Sequence, residues 1–134
     1  MQKQSQEDYL RAIYDISEKK EQINSIDIVK YLKVSKPSVS EMVRKMTKKG
    51  LIKSAPYSVI KFTKKGKILA TRLTYKHRVI EVFLKDVLKC NNRNIHQEAH
   101  QLEHAFSDRV IKKLGKYLKN PKVSPTGSKI PKIS

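Results

Sequence analysis

The amino-acid sequence predicts a mainly α-helical protein, with three short helices and a β-hairpin at the amino end and two long helices after them. Apolar residues recur at three- and four-residue steps along most of the chain, which is the period of a helical face. Residues that favour helix starts precede these segments, and one short region alternates as strands do. A chain of 134 residues has room for one compact unit, or for a small domain with a helical extension.

Three helices are predicted in the amino-terminal part, over residues 4–20, 26–32 and 36–49. Asn24 and Ser25 are suitable caps for the start of the second helix. Ser35 offers a capping hydroxyl to the third helix, and Pro37 falls in its first turn, where the missing N–H costs nothing. Gly50 is expected to end the third helix.

A hairpin is predicted next, from strands over residues 51–54 and 59–62 joined by a turn at 55–58. Three short helices followed by a hairpin is the order of a winged helix-turn-helix, in which the second helix of the motif enters the major groove of DNA. The sequence therefore predicts a winged helix-turn-helix DNA-binding domain over residues 1–63.

Two long helices are predicted after the hairpin, over residues 63–88 and 95–118, with a polar loop between them. They make up a second region over residues 64–119. The closing segment contains three prolines and a glycine, so residues 120–134 are predicted to be an extended tail with little structure of its own.

The chain carries 30 lysine and arginine residues against 12 aspartate and glutamate residues, a formal net charge of +18. Such a charge attracts polyanions, and nucleic acid is the expected partner, although an anionic membrane surface or a generally basic proteome would give the same composition. The amino end lacks the apolar core of a secretory signal, and no segment approaches the length that spans a bilayer. With its single cysteine, Cys90, the chain is predicted to be cytoplasmic and to have no membrane partner.

The third helix is the predicted recognition helix, because its apolar residues share one face and leave a basic, hydroxyl-rich face outside. The residues near its start are expected to read base edges: Lys36, Pro37, Ser38, Ser40 and Glu41. Residues farther along it and on the wing are expected to contact phosphates: Arg44, Lys45, Lys48, Tyr57 and Lys61. Duplex DNA is favoured over RNA because the chain, with three Phe and no Trp, lacks an aromatic platform for unpaired bases. A merely solvated lysine face is the alternative interpretation.

All four histidines lie between positions 77 and 104. On the fourth helix, His77 and Glu81 are four residues apart and share a face. On the fifth helix, residues spaced four, three and one apart share another face: His96, His100, Glu103 and His104. Antiparallel packing of the two helices would bring these imidazoles and carboxylates together. Such a mixed set suits divalent first-row metals, and six or seven ligands would allow two ions.

No catalytic residue and no small-molecule substrate are predicted. The zinc-hydrolase pattern HExxH is absent from the segment QEAHQLEH, and the sequence contains neither a Gly-rich phosphate loop nor a nucleophile elbow. Two alternative hypotheses are a metal-independent winged-helix DNA-binding protein and a small metal-dependent enzyme.

Five short motifs carry a resemblance: EDYL near the amino end, KPSVSEMVRKM in the recognition helix, LTYKH in the fourth helix, and HQEAHQLEH and FSDRV in the fifth. Together they resemble the diphtheria toxin repressor and manganese transport regulator family of metal-dependent transcriptional repressors. The resemblance implies a homodimer whose fourth and fifth helices form the interface and which binds a palindromic DNA operator. It also implies that Mn²⁺ or Fe²⁺, one or two ions per subunit, acts as corepressor for metal-ion homeostasis genes.

The resemblance further implies two sets of ligands. One site would take Asp8 from the first helix together with His100, Glu103 and His104. The other would take His77, Glu81 and His96.

The sequence departs from the family in several places. Arg11 stands where the manganese regulators carry a second first-helix carboxylate, and since a cation cannot ligate a metal, their close binuclear arrangement is not expected. His100 stands where iron-responsive members have cysteine and manganese-responsive members have glutamate, which leaves Mn²⁺ and Fe²⁺ open. Ser124 and Thr126 replace cysteine and histidine ligands of some relatives, so the tail is expected to give no strong donors. At its length, the chain resembles a short form without the C-terminal barrel domain of longer members.

Overall fold

The computed structural model describes residues 4–55 and 59–133, with only the backbone of Ala55. The elements are α1 (Gln6–Ser17), β1 (Ile23–Asn24), α2 (Ser25–Leu32), α3 (Lys36–Lys48), β2 (Ile52–Ala55), β3 (Val59–Phe62), α4 (Lys64–Val82), α5 (Asn92–Glu103) and α6 (Asp108–Tyr117). A π-helical turn, Phe83–Val87, continues α4. The chain forms two compact units, Met1–Leu73 and Thr74–Ser134. The mainly α fold and the winged-helix order predicted from the sequence are confirmed.

The first unit packs α1, α2 and α3 against a small antiparallel sheet with the strand order β1-β3-β2. Strand β1 escaped prediction because it has two residues, Ile23 and Asn24, and forms only by pairing with Ile60 and Val59 of β3. The core is apolar, with its central side chains completely or almost completely buried: Leu10, Ile13, Ile28, Val39, Met46, Ile52 and Ile60.

Side-chain caps define where the first unit's helices begin. The Ser5 hydroxyl accepts a hydrogen bond from the Asp8 N–H, and the Asp8 carboxylate accepts one from the Ser5 N–H, so α1 starts with a capping box. Ser35 caps α3 as predicted, by accepting from the Ser38 N–H. The predicted first helix was too long at both ends, because α1 begins directly after the N-cap Ser5 and ends at Ser17.

The second unit corrects one prediction: the helix expected over residues 95–118 is two helices, α5 and α6, separated at residues 104–107. Ile95 and Ile111 are both buried in one apolar cluster. On one straight helix they would face about 160° apart, since sixteen residues are nearly four and a half turns. The break lets both face the same core. Ser107 then starts α6 by accepting a hydrogen bond from the Val110 N–H.

Helix α6 packs closely against the second half of α4. A Cβ atom added at Gly115 would lie 2.2 Å from the Tyr75 hydroxyl oxygen, so glycine permits this approach. Within the described residues 120–133 there is no helix, but Val123 and Lys129 form an isolated bridge and Ile130 is buried beside Val79 and Val82. In the described part of the chain, no helix is both long and apolar enough to cross a membrane.

Candidate nucleic-acid interface and metal centre

Helix α3 separates an apolar face from a polar one, as its sequence predicts. Val39 and Met46 are buried, and Met42 and Val43 pack against the same core. The predicted base-reading and phosphate-contacting side chains of this helix are all exposed: Lys36, Pro37, Ser38, Ser40, Glu41, Arg44, Lys45 and Lys48. Lys61 is exposed on β3, whereas Tyr57 lies outside the described residues. The first unit thus presents a basic, hydroxyl-bearing helix to solvent.

A groove beside α3 adds residues that the sequence analysis missed. It is lined by side chains from α2, α3 and β2: Ser25, Ser40, Val43, Arg44, Thr47, Lys48 and Ser54. Three of these hydroxyls, Ser25, Thr47 and Ser54, were not predicted. They stand on three separate elements, so only the folded arrangement brings them together. Hydroxyl and basic side chains are the groups that contact phosphate and sugar in protein–DNA complexes.

Glu41 and Lys45 lie one turn apart on the exposed face of α3, and the Lys45 Nζ is 3.3 Å from the Glu41 Oε1. Both side chains are more than half exposed, so this ion pair contributes little to stability. It does, however, place a compensating cation beside the only carboxylate among the predicted base-reading residues.

The second unit gathers one group of possible metal donors from α4 and α5. His77 and Glu81 stand one turn apart on α4 and are 3% and 2% exposed. The His77 Nε2 is 3.1 Å from the His96 Nδ1, and the Glu81 Oε2 lies 3.6 and 3.7 Å from those two nitrogens. One donor atom of each residue falls within 4.8 Å of the others. The His96 side chain, 56% exposed, opens this buried group to solvent.

A second group of donors stands at the end of α5. The Glu103 Oε1 is 3.4 Å from the His100 Nδ1 and 4.0 Å from the His104 Nε2. The two imidazole rings meet edge to face, with their centroids 5.4 Å apart. Glu103 is the last residue of α5 and His104 is its C-cap, so these donors depend on where α5 ends.

Glu103 connects the two groups. Its Oε1 faces His100 and His104, while its Oε2 is 2.8 Å from the His77 Nδ1 in a buried hydrogen bond. A carboxylate and an imidazole 26 positions apart in the sequence are thereby joined. Helical spacing indicates that each residue lies on a polar face, but it cannot show that one carboxylate serves both groups.

The buried donors fit a divalent cation. The Glu81 Oε2 has no hydrogen-bond partner among the described residues and no access to water. Burial, the largest single effect, raises the pKa of Glu81, but the neighbouring His77 and His96 together outweigh it and lower the pKa to about 2. A buried carboxylate oxygen that accepts no hydrogen bond and lies beside two imidazoles is the arrangement that a cation stabilises.

Four further residues singled out from the sequence make contacts of other kinds. Asp8 is on α1 in the first unit, where its carboxylate completes the capping box, and its role as a ligand stays a prediction. Arg11 lies 3.8 Å from Asp15 in an ion pair one turn along α1. The hydroxyls of Ser124 and Thr126 are 2.9 Å apart and hydrogen-bonded to each other.

Comparison with known proteins decides the family. Residues 1–60 match the model of the iron-dependent repressor N-terminal DNA-binding domain. Residues 63–132 match that of the iron-dependent repressor metal-binding and dimerisation domain. The chain belongs to the iron-dependent repressor family. The six candidate metal donors between His77 and His104 all lie in the segment that matches the metal-binding model.

Individual relatives agree with this family assignment. The iron-dependent repressor IdeR of Mycobacterium tuberculosis is 38% identical over 123 residues, which are 92% of this chain and 54% of that protein. A structure of the manganese regulator SloR has 44% identity and a TM-score of 0.86, and the match covers 98% of this chain and 61% of that one. An uncharacterized HTH-type transcriptional regulator of Methanocaldococcus jannaschii is 35% identical, over 83% of this chain and 90% of that protein. The chain spans less than two thirds of the length of the first two.

Proposed function

We propose that this iron-dependent repressor homologue is a metal-dependent transcriptional repressor. It binds a palindromic DNA operator as a homodimer when loaded with Mn²⁺ or Fe²⁺, and it controls genes of metal-ion homeostasis in the cytoplasm. The observation that carries the proposal is the convergence of His77, Glu81 and His96 with His100, Glu103 and His104 in a chain whose other unit exposes a basic recognition helix. The family's role as repressors favours regulation over catalysis.

The donor set favours a borderline or hard divalent ion. It contains imidazole nitrogens and carboxylate oxygens, and these suit Mn²⁺ and Fe²⁺, whereas a thiolate would favour softer ions. Cys90 is half-buried in the loop before α5 and is not among the donors of either group. The names of relatives point the same way, since one is an iron-dependent repressor and another a manganese regulator. Asp8 is proposed as a further ligand on the basis of the family resemblance.

The DNA-binding role rests on α3 and the groove beside it. Lys and Arg side chains that neutralise phosphates release counterions, which gives affinity without sequence preference. We infer that Arg44, Lys45 and Lys48 supply this contribution, together with Lys61 on the wing. Ser38 and Ser40 are exposed near the start of the helix, and we expect them to face base edges.

Metal control requires that metal binding and DNA binding be coupled. If the ion raises operator affinity by some factor, the operator must raise metal affinity by the same factor. The ion therefore acts as a corepressor only if the protein binds it more tightly in the conformation that binds DNA. This reciprocity can be tested by measuring operator affinity with and without metal, or metal affinity with and without operator.

The experiment is a titration of a palindromic promoter fragment with the full chain in Mn²⁺, in Fe²⁺ under anaerobic conditions, and in excess chelator. We expect tight binding with metal and weak binding with chelator. His100→Ala should remove the difference, whereas Gln101→Ala, an exposed neighbour on the same helix, should leave it intact. Equal affinity in all three conditions would favour the metal-independent winged-helix alternative.

A further inference from the structure

The Lys76 side chain lies on α4, one residue before His77, and only 13% of it is exposed. Its Nζ donates a 2.8 Å hydrogen bond to the Phe106 carbonyl oxygen and lies 3.4 Å from the Asp108 Oδ1. A buried ammonium group loses its hydration and is tolerated only where other polar groups replace the water. The largely buried Lys76 ammonium is directed at these two partners, of which the Asp108 side chain is itself 74% exposed.

Both partners of Lys76 belong to the corner between α5 and α6, at residues 104–108. The Phe106 carbonyl stands between the two helices, after the C-cap His104 of α5 and before the N-cap Ser107 of α6. Asp108 adds a carboxylate in the first turn of α6. The Lys76 ammonium thus ties the corner to α4 through one backbone oxygen and one carboxylate.

The corner directly follows two of the candidate metal donors. Glu103 ends α5 and His104 caps it. Successive residues of α4 therefore hold the end of α5 by two contacts: Lys76 binds the backbone after it, and His77 binds the carboxylate of Glu103 at 2.8 Å. If the corner moved, the distance between His77 and Glu103 would change with it.

We propose that Lys76 is a positioning residue for the metal centre, which fixes the α5–α6 corner so that Glu103 and His104 stay in register with His77. The inference rests on the proposed function, because it requires that these donors bind metal. Lys76 carries out this role without ligating the ion, since a protonated amine has no lone pair to donate.

The sign of the effect separates positioning from simple electrostatics. A positive charge close to a divalent cation repels it, so deleting that charge would tighten metal binding if charge were its only influence. Positioning predicts the opposite, because a displaced carboxylate and imidazole bind more weakly. Loss of residues that orient ligands typically weakens metal binding by about 10–100-fold. Lys76 acts through the backbone, so we expect the lower end of that range.

The test compares wild type with Lys76→Met, which keeps the length and apolar stem of the side chain. Lys85→Met is the matched control, since it removes the same charge from a half-buried lysine farther along the same helical run. Mn²⁺ affinity is measured by calorimetric titration of the full chain, and melting temperature is measured in chelator. We expect Lys76→Met to weaken Mn²⁺ binding by about tenfold, Lys85→Met to change it less than about twofold, and Lys76→Arg to restore most of the loss.

Three results would overturn the inference. Unchanged Mn²⁺ affinity in Lys76→Met, with a lower melting temperature, would leave Lys76 a purely structural role. Tighter binding would show that its charge dominates. If wild type binds no Mn²⁺ or Fe²⁺, the proposed function fails as well, which distinguishes that outcome from the first two. Should Lys76→Met not fold, Lys76→Gln, which has no charge for Asp108 and a shorter reach toward the Phe106 carbonyl, must weaken binding in the same direction.

Discussion

Replacing Gly115 by alanine adds one methyl group to the face of α6 that packs against α4. The new Cβ atom would lie 2.2 Å from the Tyr75 hydroxyl oxygen but 3.4 Å from Cζ of the same ring. The first distance is far inside van der Waals contact, whereas the second is acceptable. The conflict is therefore with a single atom, the phenolic oxygen, and removing that oxygen should relieve it.

Two opposing effects set the magnitude. Overpacking a filled core costs about 1–3 kcal/mol, while exchanging glycine for alanine inside a helix gains about 1 kcal/mol. Gly115→Ala should therefore lower the free energy of unfolding by up to about 2 kcal/mol in the wild-type protein. In a Tyr75→Phe background only the helix-forming gain remains, so the same substitution should stabilise by about 1 kcal/mol.

The assay is urea unfolding in chelator, followed by circular dichroism, for wild type, both single variants and the double variant. The reversal of sign between the two backgrounds is the expected result, and the difference between them measures the coupling of the two residues. If Gly115→Ala has the same effect with and without the Tyr75 hydroxyl, the packing described for α6 against α4 is wrong.

Three further predictions follow from single contacts. Ser107→Ala removes the N-cap of α6 and should cost about 1 kcal/mol of unfolding free energy, whereas Ser107→Asp should cost little; equal losses would contradict the cap. Lys48→Ala should weaken binding to all duplexes alike and reduce the salt dependence by about one unit, and a loss confined to one sequence would contradict a phosphate contact. In metal-free protein, the low pKa of Glu81 contributes stability that is present above pH 4.5 and lost as pH falls toward 2. Glu81→Gln should flatten urea-unfolding free energies over that window, and an unchanged pH profile would contradict the assignment.

Features that depend on local spacing could be predicted from the sequence. Helix α3, its buried valine and methionine face and its exposed basic face follow from a period of 3.6 residues and from the pair Ser35 and Pro37. The faces that carry His77 with Glu81, and His96 with His104, follow from the same rule.

Features that depend on tertiary contacts could not be predicted from the sequence. The two residues of β1 have no strand signal of their own and pair only once β3 is in place. The break after α5 was missed because residues 95–118 contain no proline, and Leu102, Phe106, Val110 and Leu114 recur at the four-residue step of one continuous helix. The break is required because Ile95 and Ile111 are buried in one core, and that core forms only when the unit is packed. The contact between Glu103 and His77 could not be predicted from the sequence for the same reason.

The capping box at the start of α1 has a consequence for experiments on Asp8. The carboxylate that is proposed to bind metal also accepts the Ser5 N–H, so Asp8→Ala changes the helix start and the ligand set together. Asp8→Asn separates these effects, because an amide oxygen can still accept from the Ser5 N–H while lacking the negative charge that favours a divalent ion. Full helix stability with reduced metal response in Asp8→Asn would assign the ligand role without interference from folding.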